Sequence, residues 1–356
     1  DESGKAHIGY RGYNGASGVK YATNASGSWT TETVNSIYTY GAISIALNGA
    51  GNASMSYTVW DSSASSYQLK YASNASGTWT TQTPVSESGY FSDTSLALDD
   101  AGKAHISYTK NGSVIRYVSN ASGTWTTQTL DSTEGYFYNT SLALDNDGNT
   151  HISYGGWYSG TDSNALGYVT NASGTWTTET INISGGWNTS LAMDGNGNAH
   201  ISCGSWDDAA HSYSFTYVTN ASGIWTTATV DNYVYVDASS LAMDTSGNAY
   251  ISYLSNYTLM QASNAGGSWT AETVDTGGSI YITSIALDGS GNSHMSCGGW
   301  DGDTSSYALK YVTNDSGTWT TETVDSGDYF INGTSIALAG TGGVHVSYLE
   351  SGSNSG

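Results

Sequence analysis

Short runs of alternating small apolar and hydroxylated residues recur along the chain. One complete set reads TSLALD (residues 94–99), AHISY (104–108), VIRYVS (114–119) and TWTTQTL (124–130). A period of two sends successive side chains to opposite faces of an extended segment, so each run predicts a β-strand, and the four form a unit a, b, c and d. Strand a is small and apolar, as a crowded axis requires. Strand d is Thr-rich and carries Glu32, Gln82, Gln128, Glu179, Glu272 and Glu322; a polar outer edge of this kind discourages edge-to-edge pairing. The turns DxxGN and NASG separate a from b and c from d. Their Asp and Asn cap the backbone, and Gly supplies positive φ.

The unit repeats. Aligned on GxWTT, the chain places Trp29, Trp79, Trp125, Trp176, Trp225, Trp269 and Trp319 at intervals of 50, 46, 51, 49, 44 and 50 residues. Several strands per period of 40 to 50 residues is the signature of a β-propeller. The expected fold is all-β: a seven-bladed β-propeller of four-stranded antiparallel blades, one domain over residues 1–350 with a flexible tail at 351–356. Strands a, c and d occur seven times, but strand b occurs eight times, from His7 to His345. The ring is therefore expected to close by mixing N- and C-terminal strands in one blade. One surplus strand either lies at an edge or links neighbouring molecules by self-association into a filament.

Composition agrees with this picture: 45 Gly, one Pro, 28 Tyr and 12 Trp in 356 residues favour strands and tight turns over helix. The formal charge of −22 repels phosphate backbones and anionic headgroups, which argues against nucleic acid. No apolar run approaches the roughly 20 residues of a membrane span, so no membrane insertion is expected. The N-terminus lacks the basic and apolar regions of a signal peptide, so any targeting segment is expected to have been removed. Cys203 and Cys297 stand where HISY has its Tyr and read as small packing residues with free thiols.

The segments SIALDGSGNSHMS and LAMDTSGNAYIS resemble the first two strands of NHL-type propellers and of related secreted bacterial propeller repeats, and the D-x-x-G turn is distantly similar to the Asp-box of sialidases. The resemblance implies fold more than function, because propellers host lectins, scaffolds and enzymes.

In such blades the a–b and c–d turns share one face, and the b–c and d–a loops the other. The first face reads as structural. Its NAS and NDS turns are also candidate N-glycosylation acceptors, at Asn24, Asn74, Asn120, Asn171, Asn220 and Asn314. The second face holds every Trp outside GxWTT: Trp60, Trp157, Trp206 and Trp300 in b–c loops, and Trp187 in a d–a loop. Asp61, Asp207 and Asp301 follow three of them, and His211 lies in the same loop as Trp206. An aromatic plate beside a carboxylate suits the apolar face and hydroxyls of a sugar. The opposing reading is packing, since CGSW and CGGW let a small Cys and a Gly make room for a Trp to fold down.

Arg11 and Arg116 are the only arginines, which argues against sialidase chemistry. The strand-b histidines His7, His105, His151, His200, His294 and His345 read as packing. At the channel mouth, Asp93, Asn139 and Asn188 each stand three residues before the Leu of strand a. They suggest a Ca²⁺ site, as propeller lactonases use. No general base with a supporting partner is recognisable. The expected function is a non-catalytic, secreted or cell-surface propeller that binds carbohydrate or another surface polymer in adhesion. The alternatives are a fibre subunit and a calcium-dependent hydrolase.

Overall fold

The structure, a computed structural model, describes residues 7–12, 18–23, 30–37, 39, 43–133, 135–160, 162–207, 211–232, 234–275, 277–327, 330–338 and 344–351. These contain 29 strands and no helix. Six four-stranded antiparallel sheets follow in chain order: blade 1 (residues 44–87), blade 2 (91–131), blade 3 (135–181), blade 4 (185–232), blade 5 (236–275) and blade 6 (278–327). A two-stranded sheet of Phe330–Leu338 and Val344–Ser351 from one end and a three-stranded sheet of His7–Gly12, Gly18–Thr23 and Thr30–Asn35 from the other lie side by side as the seventh blade.

Blade 2 shows how closely pattern and structure agree. Its strands are Phe91–Leu98, Ala104–Lys110, Val114–Ser119 and Thr126–Asp131. Strand d begins after Trp125 rather than before it, because that Trp belongs to the turn. Its indole packs on Tyr71 of blade 1 with ring centroids 5.1 Å apart. The same contact joins Tyr117 to Trp176, Tyr168 to Trp225 and Tyr217 to Trp269, each at 4.8 Å, so the GxWTT tryptophans are wedges between blades. The Glu or Gln of strand d has a second role here: Trp125 Nε1 donates to Gln82 Oε1 at 2.5 Å and Trp225 Nε1 to Glu179 Oε2 at 2.6 Å.

An inner strand has no ladder partner toward the axis, so its N–H groups need acceptors. The Ser of TSLAL provides one: the backbone N–H groups of Leu96, Leu142, Leu191, Leu241, Ile285 and Ile336 donate to the hydroxyls of Ser44, Ser95, Ser141, Ser190, Ser240 and Ser284 in the preceding blades. The Ser of HISY meets the next blade's Thr in the same way, as in Ser107 to Thr140 at 3.0 Å and Ser153 to Thr189 at 2.8 Å. Thr334 bonds to Ser296 at 2.6 Å. The C-terminal TSIAL therefore occupies the inner position of the seventh blade.

The surplus strand resolves without exclusion. Val344–Ser351 pairs with Phe330–Leu338, His7–Gly12 pairs with Gly18–Thr23, and the two b-strands lie near each other with no ladder between them. The expected tail, after Ser351, lies outside the described residues, as does Asn24.

Each DxxGN turn ties into its blade through one carboxylate. Asp145 accepts from the Asp147 and Asn149 N–H groups at 3.0 and 2.8 Å, and from Asn149 Nδ2 at 2.9 Å. It also lies 3.2 Å from His151 Nε2, while His151 Nδ1 lies 2.5 Å from the Tyr168 hydroxyl. A carboxylate only accepts, so Nε2 carries the proton and Nδ1 accepts from Tyr168. Asp99–His105–Tyr117, Asp194–His200–Tyr217 and Asp288–His294–Tyr311 repeat the arrangement and the Nδ1–Tyr bond, with Nε2 at a looser 3.4 to 3.6 Å from the carboxylate. In blade 1, Ser54 replaces the His and reaches Tyr71 at 2.8 Å. The strand-b histidines of these blades are thus buried links. In the NASG turns, the side-chain oxygens of Asn74, Asn120, Asn171, Asn220 and Asn314 accept from the first N–H of strand b at 2.7 to 2.8 Å, which accounts for the Asn without a glycan.

Burial holds the His105, His151 and His200 rings below the ordinary 6.5, against the pull of their Asp partners. Burial also pushes Asp145, Asp194, Asp244 and Asp288 upward, but their hydrogen bonds from Asn and backbone outweigh it. All four sit below 3.8, with Asp194 at about 2. Both sets act in one direction. As pH falls through 6.5 the unfolded chain takes up protons that the folded histidines refuse, and below 3.8 the unfolded carboxylates do the same. The midpoint of urea unfolding is expected to be flat from pH 7 to 8, to fall below pH 6.5 and to fall again below pH 4. A midpoint that rises toward pH 5 would contradict the relay.

Cys203 and Cys297 are fully buried and free, and burial raises both thiols to about 12.

Candidate functional site

Five residues of the b–c and d–a face come together over blade 4 with two from blade 3. Trp187 and Asn188 start its inner strand (Gly185–Met193), Trp206 ends its second (Ala199–Asp207) and Tyr213 starts its third (Ser212–Thr219). Tyr235 precedes the inner strand of blade 5, and Asn139 and Asn164 come from blade 3. Together they line a cleft of about 480 Å³.

Tyr213 is the hub of this cleft. Its ring meets Trp187 at 5.9 Å, Trp206 at 5.1 Å and Tyr235 at 4.9 Å, all edge to face. Tyr213 and Tyr235 are 41% and 46% exposed, and the two indoles are half-buried. Aromatic rings so disposed keep apolar faces toward solvent without collapsing into a single stack.

Gly204 sets the position of Trp187. A Cβ there would fall 2.0 Å from Trp187 Nε1 and 2.4 Å from Cδ1, so the indole rests directly on the glycine backbone. The Gly after Cys203 thus makes room for a Trp, and that Trp comes from the neighbouring inner strand. Gly204→Ala is expected to dislodge the indole and alter near-UV circular dichroism, while Gly195→Ala, with open space around its Cβ, leaves the spectrum unchanged. Identical spectra for the two variants would contradict this packing.

The amide edge has its own logic. Asp93, Asn139 and Asn188 have φ of +52°, +54° and +53°, each where the ladder of the inner strand slips. Asn and Asp tolerate this left-handed conformation better than other L-residues, which accounts for the residue type. Asn188 Nδ2 donates to the Val236 carbonyl at 2.7 Å, fixing the amide so that its Oδ1 accepts from Asn139 Nδ2 at 3.0 Å. A donor therefore sits between the two amides, where a cation needs oxygen. Asp93 does not line the cleft; its Oδ2 lies 3.4 Å from Thr109 Oγ1. Among the described residues, no group of three or more His, Cys, Asp or Glu is placed to hold a metal.

The other candidates divide by place. Trp60 and Trp300 stand on blades 1 and 6, away from the cleft, each packed edge to face on a Tyr: Tyr67 at 4.8 Å and Tyr307 at 5.2 Å. Trp157 is the register partner of Asn164 and lies 6.2 Å from exposed Tyr136. The carboxylates of Asp61 and Asp301 serve their own hairpins, because consecutive strand residues face opposite ways. Asp61 accepts from Ser63 Oγ at 2.5 Å, the Ala64 N–H at 3.2 Å and Gln68 Nε2 at 2.8 Å, bonds that hold it below the usual carboxylate range. Buried Asp301 lies 3.6 Å from Lys310, which also reaches Asp275 at 3.4 Å. The Asp207 side chain is outside the described residues. His211 is exposed in the turn before Tyr213, at φ +50°.

Tyr213, Tyr235 and Asn164 are additions to the residues singled out in the sequence. The signal for Tyr213 was present: WDSSASSY, WDDAAHSY and WDGDTSSY place a Tyr seven residues after Trp60, Trp206 and Trp300. The hairpin register sets each Trp opposite that Tyr.

Among solved structures, the chain is similar to a polysaccharide lyase, an ulvan lyase, with 11% identity over 92% of this chain and 91% of that one, at a TM-score of 0.59. It is also similar to the β-propeller domain of the Trilobed protease from Pyrococcus furiosus (8% identity, 87% and 92% of the chains, TM-score 0.53) and to AofleA from Arthrobotrys oligospora (11%, 80% and 86%, TM-score 0.50). No family model and no curated protein matches the chain; the solved structures show the propeller fold. The expectation of a chain without catalytic activity is corrected by the first comparison: a ring shared with a lyase over nine-tenths of both chains gives no ground for setting this fold apart from enzymes.

Proposed function

We propose that the cleft over blade 4 binds a neutral carbohydrate. The observation that carries this reading is the cleft itself: three aromatic rings arranged around a fourth, Tyr213, bordered by the side-chain amides of Asn139, Asn164 and Asn188. Aromatic faces cover the C–H faces of a pyranose, and amides match its hydroxyls with donors and acceptors together. The volume of about 480 Å³ suits a few sugar units.

Charge selects within that class. Among the described residues no Lys or Arg lines the cleft, and the chain carries −22 overall, so uronate or sulfate groups meet repulsion with no compensating cation among them. The ulvan lyase was solved with -[GlcA(1-4)Rha3S]- bound; the present cleft is suited to an uncharged chain instead. A secreted or cell-surface setting, where such polymers are found, belongs to the same proposal.

The test is a titration of the full chain with neutral hexasaccharides of β-glucan, mannan and xylan, and with a sulfated uronate oligosaccharide, followed by tryptophan fluorescence and calorimetry. Saturable binding of a neutral member with a fluorescence change is expected. Binding of the sulfated ligand alone, or of none, would overturn the reading.

A further inference from the structure

We infer that blade 1 carries a second site for the same neutral glycan, so that one face of the ring grips a polymer at separate points. The inference rests on the reading of the blade 4 cleft as a carbohydrate site.

The blade 4 cluster has three outer rings: Trp206 at the end of strand b, Tyr213 opposite it on strand c, and Tyr235 from the following d–a loop. Blade 1 reproduces all three. Trp60 meets Tyr67 at 4.8 Å and 64°, and Tyr67 meets Tyr90 at 5.3 Å and 89°; the blade 4 values are 5.1 Å and 82°, then 4.9 Å and 79°. The backbone is the same as well. Ser65 and His211, at equivalent turn positions, have φ of +49° and +50°, so both hairpins present their rings from one geometry.

Exposure sets the two outer rings, Trp60 and Tyr90, apart from core packing, while Tyr67 between them is anchored on the buried Phe91. Trp60 is 36% and Tyr90 41% exposed, in a chain whose other wedging tryptophans lie against the neighbouring blade. Blades 2 and 5 turn from strand b to strand c at Asn111–Gly112 and Asn256–Tyr257 without a Trp, so the propeller can close a blade top without the cluster. A cluster the fold does not need, on the face that bears the blade 4 cleft and with the same ring geometry, is suited to the same ligand. Two sites on one rigid ring convert the second contact with a polymer into an intramolecular step, worth about 10²-fold or more in apparent affinity.

The experiment is calorimetry of the full chain with the neutral hexasaccharide that binds most tightly and with its parent polysaccharide. Wild type is expected to bind at least two hexasaccharides. Trp60→Ala lowers that number by one without changing the affinity of the remaining site, and weakens polymer binding about 10²-fold. Tyr90→Ala, which leaves the Trp60–Tyr67 pair in place, is expected to weaken the same site and decides the matter if Trp60→Ala does not fold. A single hexasaccharide per chain, lost in Trp206→Ala and unaffected by Trp60→Ala and Tyr90→Ala, would overturn the second site and leave the first standing. No binding by wild type would overturn both.

Discussion

Trp206→Ala is expected to lower affinity for a neutral oligosaccharide about 30-fold or more while leaving the fold intact. The indole forms one wall of the cleft and touches Tyr213 edge to face at 5.1 Å. Truncating a central aromatic anchor of a binding site costs about 2 kcal/mol or more, which is this factor. Trp206 lies at the outer end of strand b and is only half-buried, so its loss removes little core packing. Two measurements separate function from folding: the calorimetric dissociation constant and the urea midpoint. An unchanged constant and an unchanged number of bound oligosaccharides at an unchanged midpoint would show that the sugar does not use this wall. If affinity and stability collapse together, Trp206 is a packing residue.

The second large effect is on stability. His151→Ala is expected to destabilise the ring by about 3 kcal/mol, because it strands two buried partners at once. Asp145 loses the imidazole at 3.2 Å and Tyr168 the acceptor at 2.5 Å. Both lie in a blade whose Tyr168 also backs Trp225 of blade 4, so the damage reaches a blade interface. His151→Ser should cost less, since Ser54 shows that a hydroxyl at this position can meet the Tyr of strand c. Urea unfolding of the two variants checks the order, and an alanine variant within about 1 kcal/mol of wild type would contradict the relay.

Much of this architecture follows from local pattern. The blade count comes from seven GxWTT turns, and strand limits such as Ala104 and Val114 fall where alternation begins, because each strand packs one face and the turns between are spelled by Asp, Asn and Gly. What the pattern withholds is contact between blades. Nothing local tells that Ser95 serves the N–H of Leu142, or Gln82 the indole of Trp125, since both bonds join residues more than forty positions apart.

The site was half visible for the same reason. Trp187, Trp206, Asn139 and Asn188 stand out as departures from the repeat, and the structure gathers them in one cleft. Tyr213 was hidden because a Tyr that begins a strand looks like any other strand residue; only its register opposite Trp206 reveals it. The carboxylates of Asp61 and Asp301 misled in the other direction: one position along a strand reverses the face, so each of these Asp turns into its own hairpin. Asn139 and Asn188 read as oxygen donors for a cation until their amide orientation, fixed by the Val236 carbonyl, is known.

The most direct measurement is a crystal structure of the protein with the neutral hexasaccharide that binds most tightly. The account predicts sugar rings lying against Trp206 and Tyr213 with hydroxyls within hydrogen-bond reach of Asn139 or Asn188. Sugar bound in the central channel or between strand edges, with the blade 4 cleft bare, would contradict it.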